Sequence, residues 1–122
     1  MKIAIIHDWL INYACADMFV LPSIPVEKWL EQFGMVLVEA MACRKPIIST
    51  LSGSIPDVVG DAGILAQPAD FYSHYQAMKQ PVLSPRLSGD LAIRARKRAK
   101  TEFNSVRIAE ETAGIYRTLV GR

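Results

Sequence analysis

Residues 18–49 decide the fold. They contain three apolar segments, MFVLP (18–22), GMVLVEAMAC (34–43) and PIIS (46–49), with a loop between the first two and a short turn between the last two. The first and third segments are short apolar runs without polar alternation, which indicates strands that are covered on both faces. The middle segment predicts a helix that begins at Phe33-Gly34 and ends near Cys43, before Lys45-Pro46. The stretch therefore predicts two buried parallel strands joined through a helix.

The same alternation continues on both sides of this stretch. The resulting expectation is an α/β fold with a small open parallel sheet of about four strands, helices on both faces and a helical C-terminal tail. The other predicted elements are a strand at 3–6, a helix capped by Asp8 and running through Cys15, a helical turn at 56–59, a strand at 63–66, a helix from Asp70 to about Met78, a break over 81–85, and amphipathic helices at 86–103 and 106–120.

Length and composition limit the class of protein. The 122 residues, 51% hydrophobic and 21% charged, are typical of one compact globular domain over 1–122. His7 and Asp8 interrupt the first apolar run too early for a secretory signal, and no apolar run is long enough to span a membrane. Cys15 and Cys43 lack CxxC spacing and lie in apolar sequence, which favours reduced, buried thiols and a cytoplasmic protein.

Charge gives little indication of a nucleic-acid partner. The formal net charge is only +2, and the basic cluster Arg94, Arg96, Lys97, Arg98 and Lys100 has no interleaved aromatic residues. We expect this cluster to be a solvated helix face. Contact with phosphate or with an acidic membrane surface is the alternative, and nucleic-acid binding is a third, less favoured interpretation.

Glu39 is the only charged residue of the 34–43 helix, which is apolar on every side and is expected to be a central, buried helix. A buried carboxylate needs a partner, and a sugar diol suits it because two hydroxyl groups can donate to one carboxylate. A salt bridge to Arg44 or Arg94 is the structural alternative.

Glu31 and the beginning of this helix complete a candidate binding site. The first-turn amides, from Gly34 to Leu37, are free donors at the positive end of a helix dipole and could receive a diphosphate. Gly34 would let a ligand approach the backbone, although it could also be an ordinary helix-start glycine. Glu31 by itself could equally be an exposed loop carboxylate. His7-Asp8 and His74 are better explained by helix capping and by packing than by catalysis.

Several segments together resemble a known family. They are ADMFVLPS (16–23), EQFGMVLVEAMACRKPII (31–48), SG (52–53), IPDVV (55–59), DAGIL (61–65) and IYR (115–117). This set is similar to the C-terminal, donor-binding domain of family 4 (group 1) retaining glycosyltransferases, which have the two-domain GT-B fold. The resemblance covers about residues 14–120. It departs from the family at Gln32, Arg44 and Ser54, where glycine is usual, and at Asp57, where glutamate is common.

The resemblance implies a role for each matching residue. Glu31 would contact the donor sugar as the catalytic residue, and Glu39 would hold the nucleotide ribose. Donor and nucleotide binding would also involve Phe33, Gly34, Met35, Val36, Ser52 and Gly53. The substrate would be a nucleoside diphosphate sugar, with no metal and no further cofactor.

The beginning of the chain complicates this assignment. Residues 1–12 resemble the opening strand of the family's N-terminal domain, whereas residues 13–122 resemble part of its C-terminal domain, as after an internal deletion. We therefore expect a nucleotide-sugar-binding domain of a hexosyltransferase that is inactive in this truncated form. The alternative is a non-catalytic α/β domain that self-associates as a dimer or larger homo-oligomer to cover an open sheet edge and an apolar cleft wall.

Overall fold

A computed structural model describes residues 2–5, 10–28 and 30–121. Four strands and six helices are assigned within these ranges, together with one 3₁₀ turn at Gly60–Ala62. The predictions for Ile6, His7 and Asp8 lie outside the described residues. The strands are β1 (Ile3–Ile5), β2 (Met18–Val20), β3 (Ile47–Thr50) and β4 (Gly63–Ala66), and the helices are α1 (Leu10–Cys15), α2 (Met35–Ala42), α3 (Ile55–Val59), α4 (Phe71–Leu83), α5 (Pro85–Glu102) and α6 (Ser105–Val120).

The four strands form one parallel sheet in the order β1-β2-β3-β4. Phe19 pairs with Ile47, and Ile48 pairs with Ile64. Because consecutive strands are neighbours, right-handed crossovers place the connecting helices α1, α2 and α3 on one face. The predicted α/β class and four-stranded parallel sheet are confirmed.

Alternate side chains of the central strands enter two separate cores. Phe19 and Ile47 pack with α2, α3 and α5 on one face, and Val20 and Ile48 pack with Ala77 of α4 on the other. This alternation follows from the period of two in a strand. It explains why these strands are apolar throughout, and it confirms the prediction of helices on both faces.

The predicted break over 81–85 is found at Ser84, but the predicted end of the preceding helix near Met78 is too early. Helix α4 includes Pro81 and ends at Leu83. A proline ring removes one helical hydrogen bond, here to the carbonyl of Ala77, and this loss is tolerated in the last turn, where Pro81 is buried. The two helices are separated by Ser84, which follows α4. The hydroxyl of Ser84 accepts a hydrogen bond from the amide of Leu87 and so caps α5.

Two predictions about burial need correction. Helix α2 is buried only through Leu37, Ala40 and Met41, because it packs on the sheet and α5 with one side while Met35 on its outer side is 59% exposed. Cys15, at the end of α1, is exposed rather than buried, while Cys43 is partly buried against the core; neither forms a disulfide.

The basic cluster of α5 is only partly the solvated face that we expected. Arg96 donates to the carbonyl of Ala42 (2.5 Å) at the end of α2, and Arg98 donates to the carbonyls of Val58 (2.8 Å) and Asp57 (2.6 Å) in α3. The last carbonyls of a helix have no partner within the helix, so these guanidinium groups satisfy them. Lys97 and Lys100 remain exposed.

The last helix differs from the others because it buries no residue. Among the described residues, none of the helices combines the length and the apolar character needed to cross a membrane.

Candidate functional site

Two hydrogen bonds attach the loop after β2 to the end of β3. The hydroxyl of Ser49 donates to the carbonyl of Leu21 (2.8 Å), and that of Thr50 donates to the carbonyl of Ser23 (2.7 Å). Ser49 and Thr50 are both fully buried. They hold the loop over the carboxyl edge of the sheet, which is where ligands bind in open α/β sheets.

A second set of contacts joins this loop to the loop that follows β3. The carbonyl of Glu31 accepts from the amide of Ser54 (3.1 Å) and from its hydroxyl (3.2 Å), which also lies against the carbonyl of Gln32. Gly53, with φ +53°, lies so close that a Cβ atom there would be 2.2 Å from the Glu31 carbonyl oxygen. The predicted site residues Glu31 and Gly53 therefore belong to one rigid junction of two loops.

Glu31 also caps helix α2. Its Oε1 accepts from the amide of Gly34 (3.0 Å), and Gly34, in the left-handed conformation (φ 72°), precedes the first helical residue. A Cβ atom at Gly34 would lie 2.9 Å from Cδ1 of Leu37. Backbone conformation and packing thus account for the glycine without a ligand, which supports the ordinary helix-start interpretation.

Two of the four first-turn amides are available to a ligand. The amide of Leu37 donates to the carbonyl of Gly34 (2.8 Å), and that of Gly34 is taken by Glu31. The amides of Met35 and Val36 have no acceptor within the described ranges. These two donors lie at the positive end of the α2 dipole, where an anion is favoured.

Glu39 lies one turn further along α2, on the same side as Met35 and Val36. Its side chain is partly buried, and in the part of the chain that the structure describes its carboxylate has no hydrogen bond or ion pair. Arg94, one of the two expected partners, instead contacts Asp61 through the carbonyl (2.8 Å) and the carboxylate (3.9 Å). Because Glu39 is partly exposed, water can hydrate its carboxylate. A protein or ligand partner is therefore not required, whereas a fully buried carboxylate would need one.

The remaining predicted residues form the surroundings of this helix start. The ring of Phe33 is 39% exposed and contacts Phe103 edge to face, with centroids 5.5 Å apart. Ser52 is 3% exposed, and its buried hydroxyl finds no partner among the described residues. Met35 is exposed, whereas Val36 packs partly against the core.

The site therefore combines two carboxylates with two main-chain donors. Carboxylate oxygens accept hydrogen bonds from hydroxyl groups, and main-chain amides donate to phosphates, so the site is suited to such a ligand rather than to a metal ion. Within residues 2–5, 10–28 and 30–121, no group of three His, Cys, Asp or Glu side chains is arranged to hold a metal ion.

Motifs in the sequence point to Glu31, Gly34 and Gly53 but not to the side chains that join their loops. Ser49, Thr50 and Ser54 make bonds to residues 22 to 28 positions away. The only local signal was the polar pair Ser49-Thr50 at the end of an otherwise apolar strand.

Comparison with known proteins gives consistent matches. A family model described as glycosyl transferases group 1 matches residues 6–83. The O-antigen chain mannosyltransferase B of Escherichia coli is 45% identical over 58 residues, which are 48% of this chain and 14% of that protein. The N-acetyl-alpha-D-glucosaminyl L-malate synthase of Bacillus anthracis is 36% identical over 88 residues, or 70% of this chain and 23% of that protein.

A solved structure shares the fold. The sucrose-phosphate synthase from Thermosynechococcus elongatus superposes with a TM-score of 0.79 at 29% identity, covering 91% of this chain and 27% of that one. The chain thus spans between 14% and 27% of the length of these three proteins.

Proposed function

The chain belongs to the glycosyl transferases group 1 family, and on this premise we propose that it binds the nucleoside diphosphate sugar consumed in a retaining hexosyl transfer. Its sheet and helices are the Rossmann-like unit of the GT-B fold. We assign residues 13–122 to the donor-binding domain and residues 1–12 to an N-terminal strand segment. The names of the similar proteins mention different products, so the sugar is left as a hexose.

One observation carries the proposal: the amides of Met35 and Val36 at the start of α2, and the carboxylate of Glu39 one turn further along, have no partner among the described residues. The amides would receive the diphosphate, and Glu39 would accept hydrogen bonds from the ribose hydroxyls. Glu31 would use its second carboxylate oxygen for the donor sugar, since its first caps α2.

Phe33, Gly34, Ser52 and Gly53 would form the wall of the donor site. The hydroxyl of Ser52 is buried, so we expect this residue to act through its place in the loop rather than through a hydrogen bond to the ligand. Gly53 and Gly34 fix the two loops by close packing. Binding needs no metal or further cofactor in this proposal.

We propose that these 122 residues bind the donor without turning it over. Transfer requires stabilisation of the departing diphosphate and an oriented acceptor. Among the described residues the proposed site offers two amides to the diphosphate, and they are opposed by the nearby charges of Glu31 and Glu39. We therefore expect the donor to bind weakly. We also propose that the protein is cytoplasmic.

Calorimetric titration with UDP, GDP, ADP and their sugar conjugates tests the proposal. Saturable heat is expected with one nucleotide series, and Glu39→Gln should weaken it about tenfold or more, because a hydrogen bond to a charged group contributes about 1.5–3 kcal/mol. Asp90→Asn, on the exposed side of α5, is the matched control. If Glu39→Gln bound the nucleotide as tightly as the unmodified chain, Glu39 would not take part in binding. Release of free sugar from the donor, or its transfer by the chain, would contradict the proposed absence of turnover.

A second candidate is a non-catalytic α/β domain that self-associates as a homo-oligomer. It is favoured by the fact that Glu31 and Gly34 already satisfy each other within the protein, and by the open edges of β1 and β4. Two results together would favour this candidate over the first: no heat of binding with any nucleotide, and a solution mass of the folded protein that rises with its concentration.

A further inference from the structure

The side chain of Ser54 differs in its use from those of other residues that precede a helix in this chain. Ser54 stands directly before α3, yet its hydroxyl caps no amide of that helix. At the same position before α4, α5 and α6, the side chains accept from amides of their own helices; these residues are Asp70, Ser84 and Asn104. A serine at a helix start normally stabilises the helix in that way, so the Ser54 hydroxyl has a different role.

The Ser54 hydroxyl donates instead to the loop that carries Glu31. It lies 3.2 Å from the carbonyl oxygen of Glu31 and also against the carbonyl oxygen of Gln32. The Ser54 amide donates to the same Glu31 carbonyl (3.1 Å). A hydroxyl group has one proton, which these two carbonyls share. One residue therefore holds the two consecutive peptide groups that follow Glu31.

These bonds leave Glu31 with little freedom. Ser54 holds its main chain, and its Oε1 accepts from the amide of Gly34 (3.0 Å). Its Oε2 has no hydrogen bond or ion pair within the described ranges. Contacts at both ends of the residue thus keep one free acceptor in place. An acceptor that is already ordered binds a ligand more tightly, because binding then costs less conformational entropy.

Glycine is usual at position 54 in the family that the sequence resembles. A glycine could make only the amide bond to Glu31, because it has no hydroxyl group. The second bond to this loop therefore follows from the serine of this chain and not from the shared fold.

We propose that Ser54 is a positioning residue for the donor sugar: its hydroxyl holds Glu31 so that Oε2 accepts a hydrogen bond from a sugar hydroxyl. The inference rests on the proposed function, in which Glu31 contacts the sugar. Met35, Val36 and Glu39 of α2 would bind the nucleotide, and Ser54 makes no hydrogen bond to α2 among the described residues. Ser54 should therefore affect the affinity for the sugar and not the affinity for the nucleotide.

Calorimetric titration of Ser54→Ala with nucleoside diphosphates and with their sugar conjugates tests the proposal. The probes are UDP, GDP and ADP, and UDP-glucose, GDP-mannose and ADP-glucose. Ser54→Ala should weaken binding of the conjugate about fivefold, which corresponds to the loss of one ordinary hydrogen bond, and should leave the Kd of the plain nucleotide unchanged. Ser54→Thr, which keeps a hydroxyl group, should recover the affinity for the conjugate.

Ser84→Ala is the matched control, because it removes another partly buried serine hydroxyl whose hydrogen bond (3.2 Å) only caps α5. It should destabilise the fold without changing the ratio of the two dissociation constants, as Ser54→Ala would if Ser54 were merely structural. In a Glu31→Ala chain, Ser54→Ala should have no further effect on the conjugate, because Ser54 acts through Glu31.

Amide hydrogen exchange at Gly34, followed by NMR, tests the positioning of Glu31 without a ligand. The Glu31 carboxylate accepts from this amide and protects it. Ser54→Ala should therefore speed the exchange of Gly34 several-fold, whereas Ser84→Ala should leave it unchanged.

Either of two results would overturn the inference. One is an exchange rate at Gly34 that Ser54→Ala does not change. The other is a ratio of conjugate to nucleotide affinity that is the same in Ser54→Ala and in the unmodified chain. Failure of the proposed function looks different, since the unmodified chain would then bind none of the nucleotides. In that case there is no donor sugar to position, and the inference fails as well.

Discussion

At Gly53 the chain passes so close to its own backbone that even a methyl group does not fit. The φ angle of +53° requires glycine, and so does the 2.2 Å that would separate a Cβ atom at this position from the carbonyl oxygen of Glu31. The adjacent Ser54 holds the same carbonyl by two hydrogen bonds. One small residue thus determines how closely the two loops of the candidate site approach each other.

We expect Gly53→Ala to lower the free energy of unfolding by about 2 kcal/mol or more, because it adds left-handed strain to a steric clash. Urea denaturation followed by circular dichroism measures the change. Gly114→Ala is the control: the Cβ atom there meets open space, so this variant should gain up to about 1 kcal/mol from helix propensity. Equal stability of Gly53→Ala and the unmodified chain would show that the two loops separate without cost.

Among the elements, α5 does more than cover one face of the sheet. Its Arg98 donates to the carbonyls of Val58 and Asp57, at 2.8 and 2.6 Å, and its guanidinium group packs against Gly60, where a Cβ atom would lie 2.7 Å from Cζ. The end of α3 therefore depends on a side chain some forty residues away.

We expect Arg98→Ala to lower the free energy of unfolding by about 2 kcal/mol, since it leaves helix-end carbonyls without charged donors. Lys97→Ala, which removes an exposed neighbouring charge, should change it by less than about 0.5 kcal/mol. Thermal and urea unfolding of both variants provide the comparison. If the two variants proved equally stable, the basic cluster would be the solvated face that the sequence alone indicated.

The elements show what local sequence can and cannot predict. Strands β2, β3 and β4 were predicted within one residue because each apolar run is bounded at one end by proline or glycine. Helix α4 was predicted too short because a sequence does not reveal that Pro81 falls in a last turn with buried surroundings. The role of Arg98 was missed for a similar reason: charge is visible in a sequence, but the carbonyl that receives it is not.

Across the whole molecule, the candidate site was predicted through motif spacing and not through its physical environment. The family motif made Glu31 and Glu39 candidates, and their roles stay a prediction. The expectation that Glu39 is buried failed because an apolar helix need not be covered on every side. The bonds of Ser49 and Ser54 that assemble the site join residues 22 to 28 positions apart. Such pairs have no local pattern and appear only when the sheet has formed.

The division of the molecule into a packed body and an unburied last helix leads to a prediction about truncation. A chain that ends at Phe103 loses α6, which buries nothing and is linked through Arg107. We expect its free energy of unfolding to change by less than about 1 kcal/mol and its urea m-value to fall only slightly, because little additional surface is exposed when α6 unfolds. Urea denaturation of both chains measures these quantities.

A chain that ends at Leu83 is the informative contrast, because it also loses α5. Leu91, Ala95 and Ala99 of that helix are buried, and its arginines satisfy carbonyls of α2 and α3, so this chain should not unfold cooperatively at any temperature. If the chain ending at Phe103 instead lost its cooperative transition, α6 would be part of the folding unit even though it buries no residue.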